Sequence, residues 1–322
     1  MKTNPPSKHL PIWAMAVIDA LLLGVGLCVF ALFHHVLPQA YSSAPISPAF
    51  PGDSASLYTD IAGTRFDHLF SDGEITATEN SYRSRDIYVT VTKKEQNGIT
   101  YYVEDIYVRY LGNLRTAFAQ DTYGKGFTEY PVDIAARVEA VCAVNGDYYG
   151  SRPTQGAIIR NGITYLTAKH FSDVCVLHTD GTMSGVNKAT YNLLLSRSLK
   201  NVYQAWSFGP TLVENGVARK GQTGSLAGKN PRSGIGYYEP GHYCFVTVDG
   251  RQPGYSVGAT FDEFAQIFEQ LGCTYAYNLD GGQTAVMAFG DRLVNSPTKG
   301  GRESSDIICV LELPKLSPQT EE

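Results

Sequence analysis

Four segments carry side chains whose types and spacing suit chemistry. "VCAVNGDYYGSRPTQG" sets Asn145, Asp147 and Tyr148 directly after an apolar run. "SFGPTLVENG" follows the same plan, and "NPRSGIGYYEPGHYCFVTVDGRQPGYSVGAT" holds Arg232, Asp249 and Arg251. "YNLDGGQTAVM" holds Asn278, Asp280, Gly281, Gly282 and Thr284. In each, a run that reads as a buried strand stops at a polar or glycine-rich turn. A strand end is a rigid mount for a reactive side chain, and glycine lets a ligand approach the backbone closely. Carboxylates, arginines and carboxamides are the groups for proton transfer, anion binding and hydroxyl recognition.

Taken singly, these signals are weak, because Asp-Gly and Asn-Gly are also the commonest hairpin-turn pairs. That plain reading suits Asn97-Gly98, Asn161-Gly162, Asp180-Gly181 and Asn215-Gly216, with Glu214 an exposed neighbour. His170, His178 and His242 have no partner spacing and read as structural. Six cysteines, Cys28, Cys142, Cys175, Cys244, Cys273 and Cys309, form neither a CxxC pair nor a zinc spacing. They read as buried thiols, with room for one disulfide that the sequence does not choose.

The elements that must position the four segments are mostly strands. "DIYVTVTKKEQNGITYYVEDIYV" alternates, turns at Asn97-Gly98 and alternates again, which predicts a hairpin. Further short β-rich runs cover Ala140–Val144, Gly156–Ile159, Val174–Leu177, Thr211–Val213, Tyr243–Val248, Tyr275–Leu279, Ala285–Phe289 and Ile307–Leu311. One helix is well specified: Thr260 and Glu263 make a capping box, and Phe261, Phe264, Ala265, Phe268 and Leu271 recur at helical spacing. Gly272 ends it, and a second helix is expected over Val132–Arg137. The fold class expected is α+β, a mixed or mostly antiparallel sheet with a few packing helices.

The N-terminus adds one apolar helix. Ile12 to Phe33 contains a single charged residue, Asp19, and is long enough for a bilayer core. Lys2 and Lys8 precede it and the next basic residue is Arg65, so the positive-inside rule puts the N-terminus in the cytoplasm and the rest outside. A cleaved signal peptide would have a shorter apolar core and a small-x-small site, where this chain has Pro38. The expected organisation is a cytoplasmic N-terminus (1–11), a signal anchor (12–37), a Pro/Ser-rich stalk (38–53), an N-terminal extension (54–85), the main domain (86–313) and a tail (314–322). The net charge of −5 and the absence of any Lys/Arg block give no footprint for nucleic acid.

Together the motifs carry a resemblance. "NGDYY" at 145–149, "SFGPTLVENG" at 207–216, "NPRSGIG" at 230–236, "VDGR" at 248–251, "LGCTYAYNLDGG" at 271–282 and "NSPTKGGRESSDIICV" at 295–310 are similar, in order and spacing, to the phosphodiester glycosidase family. The resemblance covers about residues 86–313. It departs at Gln283, where the family usually has a third glycine, and at Asp147, Tyr148 and Tyr149, which replace Gly-Phe-Phe. Both departures touch the expected pocket wall and bear on substrate identity.

The resemblance implies cleavage of a sugar-1-phosphodiester at the anomeric carbon. The leaving group, a phosphate monoester with a second pKa of about 6, needs less protonation than the alcohol of an ordinary glycoside. What the reaction needs is a cation on the phosphate and a carboxylate at the sugar. Arg232 is the first candidate cation, with Arg251 and Arg302 behind it. Asp280 is the first candidate carboxylate, with Asp249 and Asp147 next. Asn145, Asn278 and Thr284 are expected near the sugar, and Gly281 and Gly282 would offer backbone N–H groups. No cofactor is required; a divalent cation coupling the carboxylates to phosphate is compatible with these residues, and no spacing demands one. The expected partners are a phosphoglycan or sugar-1-phosphodiester and, through the N-terminal helix, the cell membrane. Two readings compete: a surface module that binds phosphate-bearing glycans without turnover, and a hydrolase that breaks the P–O bond.

Overall fold

The computed structural model describes residues 10–43, 57–151, 155–194 and 201–314. Lys2 and Lys8, most of the proline-rich stretch and nearly all of the tail lie outside the described residues. The chain divides into two compact units, Met1–Gln39 and Ala40–Glu322.

The first unit is a helix, Ile12–Ala31, continued by a π-helical turn over Leu32–Val36. None of its residues is buried, and within the 25-residue span Ile12–Val36 an 18-residue window reaches a mean hydropathy of 2.5. At a rise of about 1.5 Å per residue it is long and apolar enough to cross a membrane.

The second unit is built chiefly on its three larger sheets, whose strand pairs are antiparallel. A nine-stranded sheet runs Val217–Ala218, Thr211–Glu214, Tyr275–Asn278, Arg232–Glu239, His242–Val248, Ile99–Val108, Ile87–Gln96, Ser81–Arg83 and Thr76–Ala77 in spatial order. A five-stranded sheet holds Ile163–Ala168, Gly156–Arg160, Val202–Trp206, Val174–His178 and Met183–Val186. The other holds Arg292–Leu293, Met287–Phe289, Cys142–Asn145, Asp306–Val310 and Leu114–Phe118. One core joins them: Ile106, Phe245 and Tyr277 from the first sheet meet Leu177 and Trp206 from the second and Val144 and Ile308 from the third. The expected antiparallel α+β architecture is therefore the observed one.

The hairpin over Ile87–Val108 turns where expected, with Asn97 at φ 53°. The capped helix is Phe261–Leu271: Thr260 Oγ1 accepts from the Glu263 N–H at 3.1 Å, and Glu263 Oε2 accepts from the Thr260 N–H at 2.8 Å. Phe264 and Phe268 are wholly buried, while Leu271, in the last turn, is only partly so. The second helix is Pro131–Arg137.

The strand Arg232–Glu239 was not expected, because Gly234 and Gly236 interrupt its alternation. The structure gives their reason. A Cβ on Gly234 would lie 3.0 Å from Phe268, and one on Gly236 would lie 2.6 Å from Cys244 Sγ and 2.7 Å from Cys273 Sγ. The helix lies so close to the sheet that only glycine fits beneath it. All six cysteines are free thiols; Cys244 and Cys273 touch, Sγ to Sγ, at 3.7 Å. The weakly patterned residues after 57 also pack, through Ala62, Phe66 and Phe70.

Candidate active site

Asp280 lies two residues past the end of the Tyr275–Asn278 strand. Its N–H donates to the Gly146 carbonyl at 3.2 Å, and Asn145 Nδ2 donates to the Asp280 carbonyl at 2.8 Å. Two strand ends from different sheets are thus laced together, and Asn145 is consumed in the lacing. The Asp280 carboxylate is held at both oxygens. Oδ1 accepts from the Gly281 N–H at 2.9 Å, and Oδ2 accepts from Thr284 Oγ1 at 2.6 Å and from Arg302 Nη2 at 3.2 Å. Arg302 Nη2 also donates to Thr284 Oγ1 at 2.6 Å, and its guanidinium lies 5.2 Å above the Tyr148 ring. Thr284 and Arg302 therefore stand behind the carboxylate and fix its orientation.

Arg232 opens its strand and is 4% exposed. Nε donates to the Ala259 carbonyl at 2.9 Å, Nη2 donates to the Leu226 and Gly228 carbonyls at 2.6 Å, and the guanidinium lies 4.0 Å from the Phe261 ring centre. Among the described residues no carboxylate pairs with it. Burial, with the nearby Arg251 charge, pushes its pKa down to about 10, so it remains a cation at neutral pH. Arg251 is exposed and holds Asn230 Oδ1 through Nη2 at 2.7 Å.

Asp280, Arg232, Arg251, Asn278, Gly281 and Gly282 line one cavity. Asn278 Nδ2 donates to the Gly209 and Leu279 carbonyls at 2.8 and 2.9 Å, which leaves its buried Oδ1 without a hydrogen-bond partner. A buried acceptor of this kind is costly unless something else meets it. Gly281 is required by the close approach of Pro231, whose carbonyl would lie 2.6 Å from an added Cβ. The two glycine N–H groups are spent inside the protein, on Asp280 Oδ1 and on the Pro231 carbonyl, rather than offered to a ligand.

Two of the three candidate carboxylates stand apart from this cavity. Asp249 is buried, with Oδ1 accepting from Asn295 Nδ2 at 2.8 Å and Oδ2 accepting from Tyr255 Oη at 2.8 Å and the Ser296 N–H at 2.9 Å. Burial raises its pKa and these donors partly offset the rise. Asp147 is buried beside Arg160, whose Nη2 donates to Asp147 Oδ1 at 2.8 Å, and its Oδ2 accepts from the Ser207 N–H at 2.7 Å. Arg160 Nε donates to Asp306 Oδ2 at 2.9 Å and Nη1 donates to the Ala205 carbonyl. Sequence reasoning missed Arg160 and Asp306. Their signal was a charge inside an apolar strand in "GAIIR" and "SDIICV", where a buried charge demands a partner. Among the described residues no three His, Cys, Asp or Glu side chains form a metal-binding group.

A family model described as phosphodiester glycosidase matches residues 138–311, a span that includes Asn145, Asp147, Arg232, Asp249, Asp280 and Arg302. The chain belongs to the phosphodiester glycosidase family. Among curated proteins, this family member is 28% identical over 277 residues to the SPbeta prophage-derived uncharacterized protein YomE of Bacillus subtilis (strain 168), covering 76% of this chain. It spans only 42% of that relative's length. Among solved structures, the catalytic domain of zebrafish N-acetylglucosamine-1-phosphodiester alpha-N-acetylglucosaminidase, auto-inhibited by its pro-peptide, superposes with a TM-score of 0.56 at 18% identity, covering 74% of this chain and 88% of that one. A hypothetical protein from Synechocystis superposes with a TM-score of 0.55 at 17% identity, covering 74% and 64%. At such identities the structural likeness establishes the shared fold.

Proposed function

We propose that this phosphodiester glycosidase hydrolyses a sugar-1-phosphodiester at the C–O bond, outside the cytoplasmic membrane, in envelope or exopolysaccharide metabolism. The observation that carries the reading is Arg232: a buried guanidinium without a carboxylate partner, on the wall of the cavity that also holds Asp280. A buried cation is stable only when its charge is met, and a phosphate in this cavity would meet it. Nε and Nη2 of Arg232 are committed to the Ala259, Leu226 and Gly228 carbonyls, which leaves Nη1 to donate to a phosphate oxygen, and Arg251 supplies a second cation at the rim.

In the proposed reaction a water oxygen bonds to the anomeric carbon as the bond from that carbon to the phosphate oxygen breaks. The electron pair leaves with the phosphate, which departs as a monoester held by Arg232 and Arg251. Asp280 takes the proton from the water and opposes the positive charge that grows on the sugar. Thr284 and Arg302 keep the carboxylate aimed, and Asn278 Oδ1 accepts from a sugar hydroxyl. Asp249 and Asp147 take positioning roles. N-acetylglucosamine is the sugar favoured by the likeness to the zebrafish enzyme.

The test is turnover of GlcNAc-1-phosphodiesters by the purified full-length protein in ¹⁸O-water. Label in the released sugar supports C–O cleavage; label in phosphate assigns a P–O hydrolase, and binding without turnover assigns a glycan-binding module. The apolar Ile12–Val36 segment supports an anchor. Protease added to intact protoplasts should remove the domain, and protection until lysis would reverse the orientation.

A further inference from the structure

Two thiols from different elements meet over one glycine. Cys244 lies in the strand His242–Val248. Cys273 follows the helix Phe261–Leu271, and its N–H donates to the Phe268 carbonyl at 3.1 Å. The two Sγ atoms are 3.7 Å apart. Gly236, in the strand between them, pairs with Cys244 on one side and with Ala276 on the other. A side chain there would begin 2.6 Å from one sulfur and 2.7 Å from the other, so its absence is what lets the sulfurs meet. A disulfide holds its sulfurs about 2.05 Å apart. Closing from 3.7 Å moves each sulfur by about 0.8 Å, a shift of the size that a turn of about 30° about Cα–Cβ makes.

The sequence leaves the choice of a disulfide open among six cysteines, and the fold narrows it to this pair. Cys28 belongs to the N-terminal apolar helix. Cys142 and Cys309 come from adjacent strands but pack on opposite sides of their sheet, Cys142 into the core that joins the three sheets and Cys309 beside Ile134 and Ile307. Cys175 packs in the central core, away from the cluster that holds Cys244 and Cys273. Both members of the pair are buried. Burial, with Cys273 beside it, pushes the Cys244 pKa well above the ordinary thiol value. In the folded domain Cys244 is therefore a protonated, unreactive thiol. A bond between the two is made while the chain folds, before the helix seals the pair.

We propose that Cys244 and Cys273 are a modification site, joined by a disulfide as the domain folds. One S–S bond forms and two S–H bonds break; the two protons and two electrons pass to a disulfide-bearing oxidant, which is reduced to two thiols. This rests on the proposed placement of the domain outside the cytoplasmic membrane, where such oxidants act. The bond links residues 29 apart and staples the C-terminal end of the helix to the middle of the nine-stranded sheet. It lies away from the Asp280 cavity, because the chain runs from Cys273 through the whole strand Tyr275–Asn278 before it reaches Asp280. Its work is stability and not chemistry.

The experiment uses the full-length protein, isolated without reductant and unfolded in the presence of an alkylating reagent. Of the six cysteines, four should take the label, and all six after prior reduction. Trypsin cuts at Arg251, between the two, so their peptides should be recovered joined. Cys273→Ser should take five labels with nothing joined. The oxidised protein should melt about 5–10 °C above the reduced one, and Cys273→Ser should show no such difference. A second arm does not depend on where the cell puts the domain: the reduced chain is refolded against graded ratios of oxidised to reduced glutathione. If the isolated protein carries six free thiols, yet the refolded chain joins Cys244 to Cys273, the placement outside the membrane is wrong and the pairing stands. Six labels at every ratio, or a bond between any other two cysteines, would overturn the proposal.

Discussion

Arg160 donates to Asp147 across 2.8 Å, and neither side chain reaches water. The same guanidinium holds Asp306 at 2.9 Å. One cation thus bridges two carboxyl groups, Asp147 just past the Cys142–Asn145 strand and Asp306 on its neighbour, directly beneath the loop whose Gly146 carbonyl receives the Asp280 N–H. The triad supports the site and does not line its cavity.

Its removal should therefore unfold the protein rather than alter its chemistry. Arg160→Met leaves two carboxylates buried without a counter-charge. Breaking one side of such a pair costs about 3–5 kcal/mol, and guanidinium denaturation of the variant should read a loss of that size. A loss below about 1 kcal/mol would mean that the pair is not sealed from water.

The triad also makes stability depend on pH. Burial, with Asp147 adding its charge, pushes the Asp306 carboxyl up to about 7, against the pull of Arg160. Its unfolded value lies in the ordinary carboxylate range near 4. Between the two, the folded protein holds a proton that the unfolded chain has released, so this contribution to stability is full below about pH 4, falls as pH rises to about 7 and is flat above. Asp249 and Glu104, both raised by burial, act in the same direction. Unfolding free energies at pH 5 and pH 8 should therefore differ more in the wild type than in Asp306→Asn. An equal difference in both would show that Asp306 does not hold the proton.

The parts of the fold that depend on neighbours in sequence were legible. The capping box at Thr260 and Glu263 is a contact over three residues, and the Asn97 turn is local in the same way. The five-strand pairings were not, and the fate of the carboxylates was not either. Asp249 meets Asn295 across 46 residues and Arg160 meets Asp306 across 146. Before folding nothing separates a carboxylate that will be sealed by such a partner from one that will face a cavity. Asp147, Asp249 and Asp280 all follow strands and precede or follow glycine, so they look alike. The motif order placed Asp280 and Arg232 as leading candidates, and both line the cavity.

Arg232 predicts a ligand effect. If phosphate meets its charge, inorganic phosphate and phosphomonoesters should raise the melting temperature of the wild type. Saturation at about a hundred times the dissociation constant adds about 2.7 kcal/mol. Arg232→Lys keeps the charge, but three ammonium hydrogens cannot serve the Ala259, Leu226 and Gly228 carbonyls and a phosphate oxygen together, so the shift should shrink and kcat/KM on phosphodiesters should drop. An activated aryl glycoside without phosphate, where accepted, should be affected far less. A melting shift that survives Arg232→Lys unchanged would move phosphate recognition to Arg251.

Asp280 carries the sharpest prediction. Asp280→Asn keeps the shape and an acceptor for the Gly281 N–H, and it removes the negative charge and the basicity. The ion pair lost with Arg302 is partly exposed on the arginine side, where side-chain exposure is 45%, so the effect on folding should stay within about 1 kcal/mol. Turnover should fall by about 10²–10⁴-fold, the contribution of a positioned acid or base. The burden is on kcat rather than KM, because the charge acts as the anomeric carbon becomes positive and not when the substrate docks. Thr284→Val should lie between the two: the carboxylate remains, its orienting hydroxyl is gone, and the rate falls by less than in Asp280→Asn. Kinetics of both variants beside their melting curves decide the matter. Near-wild-type kcat in Asp280→Asn, with the fold intact, would remove Asp280 from the reaction and leave a cavity that binds phosphate without hydrolysing its ester.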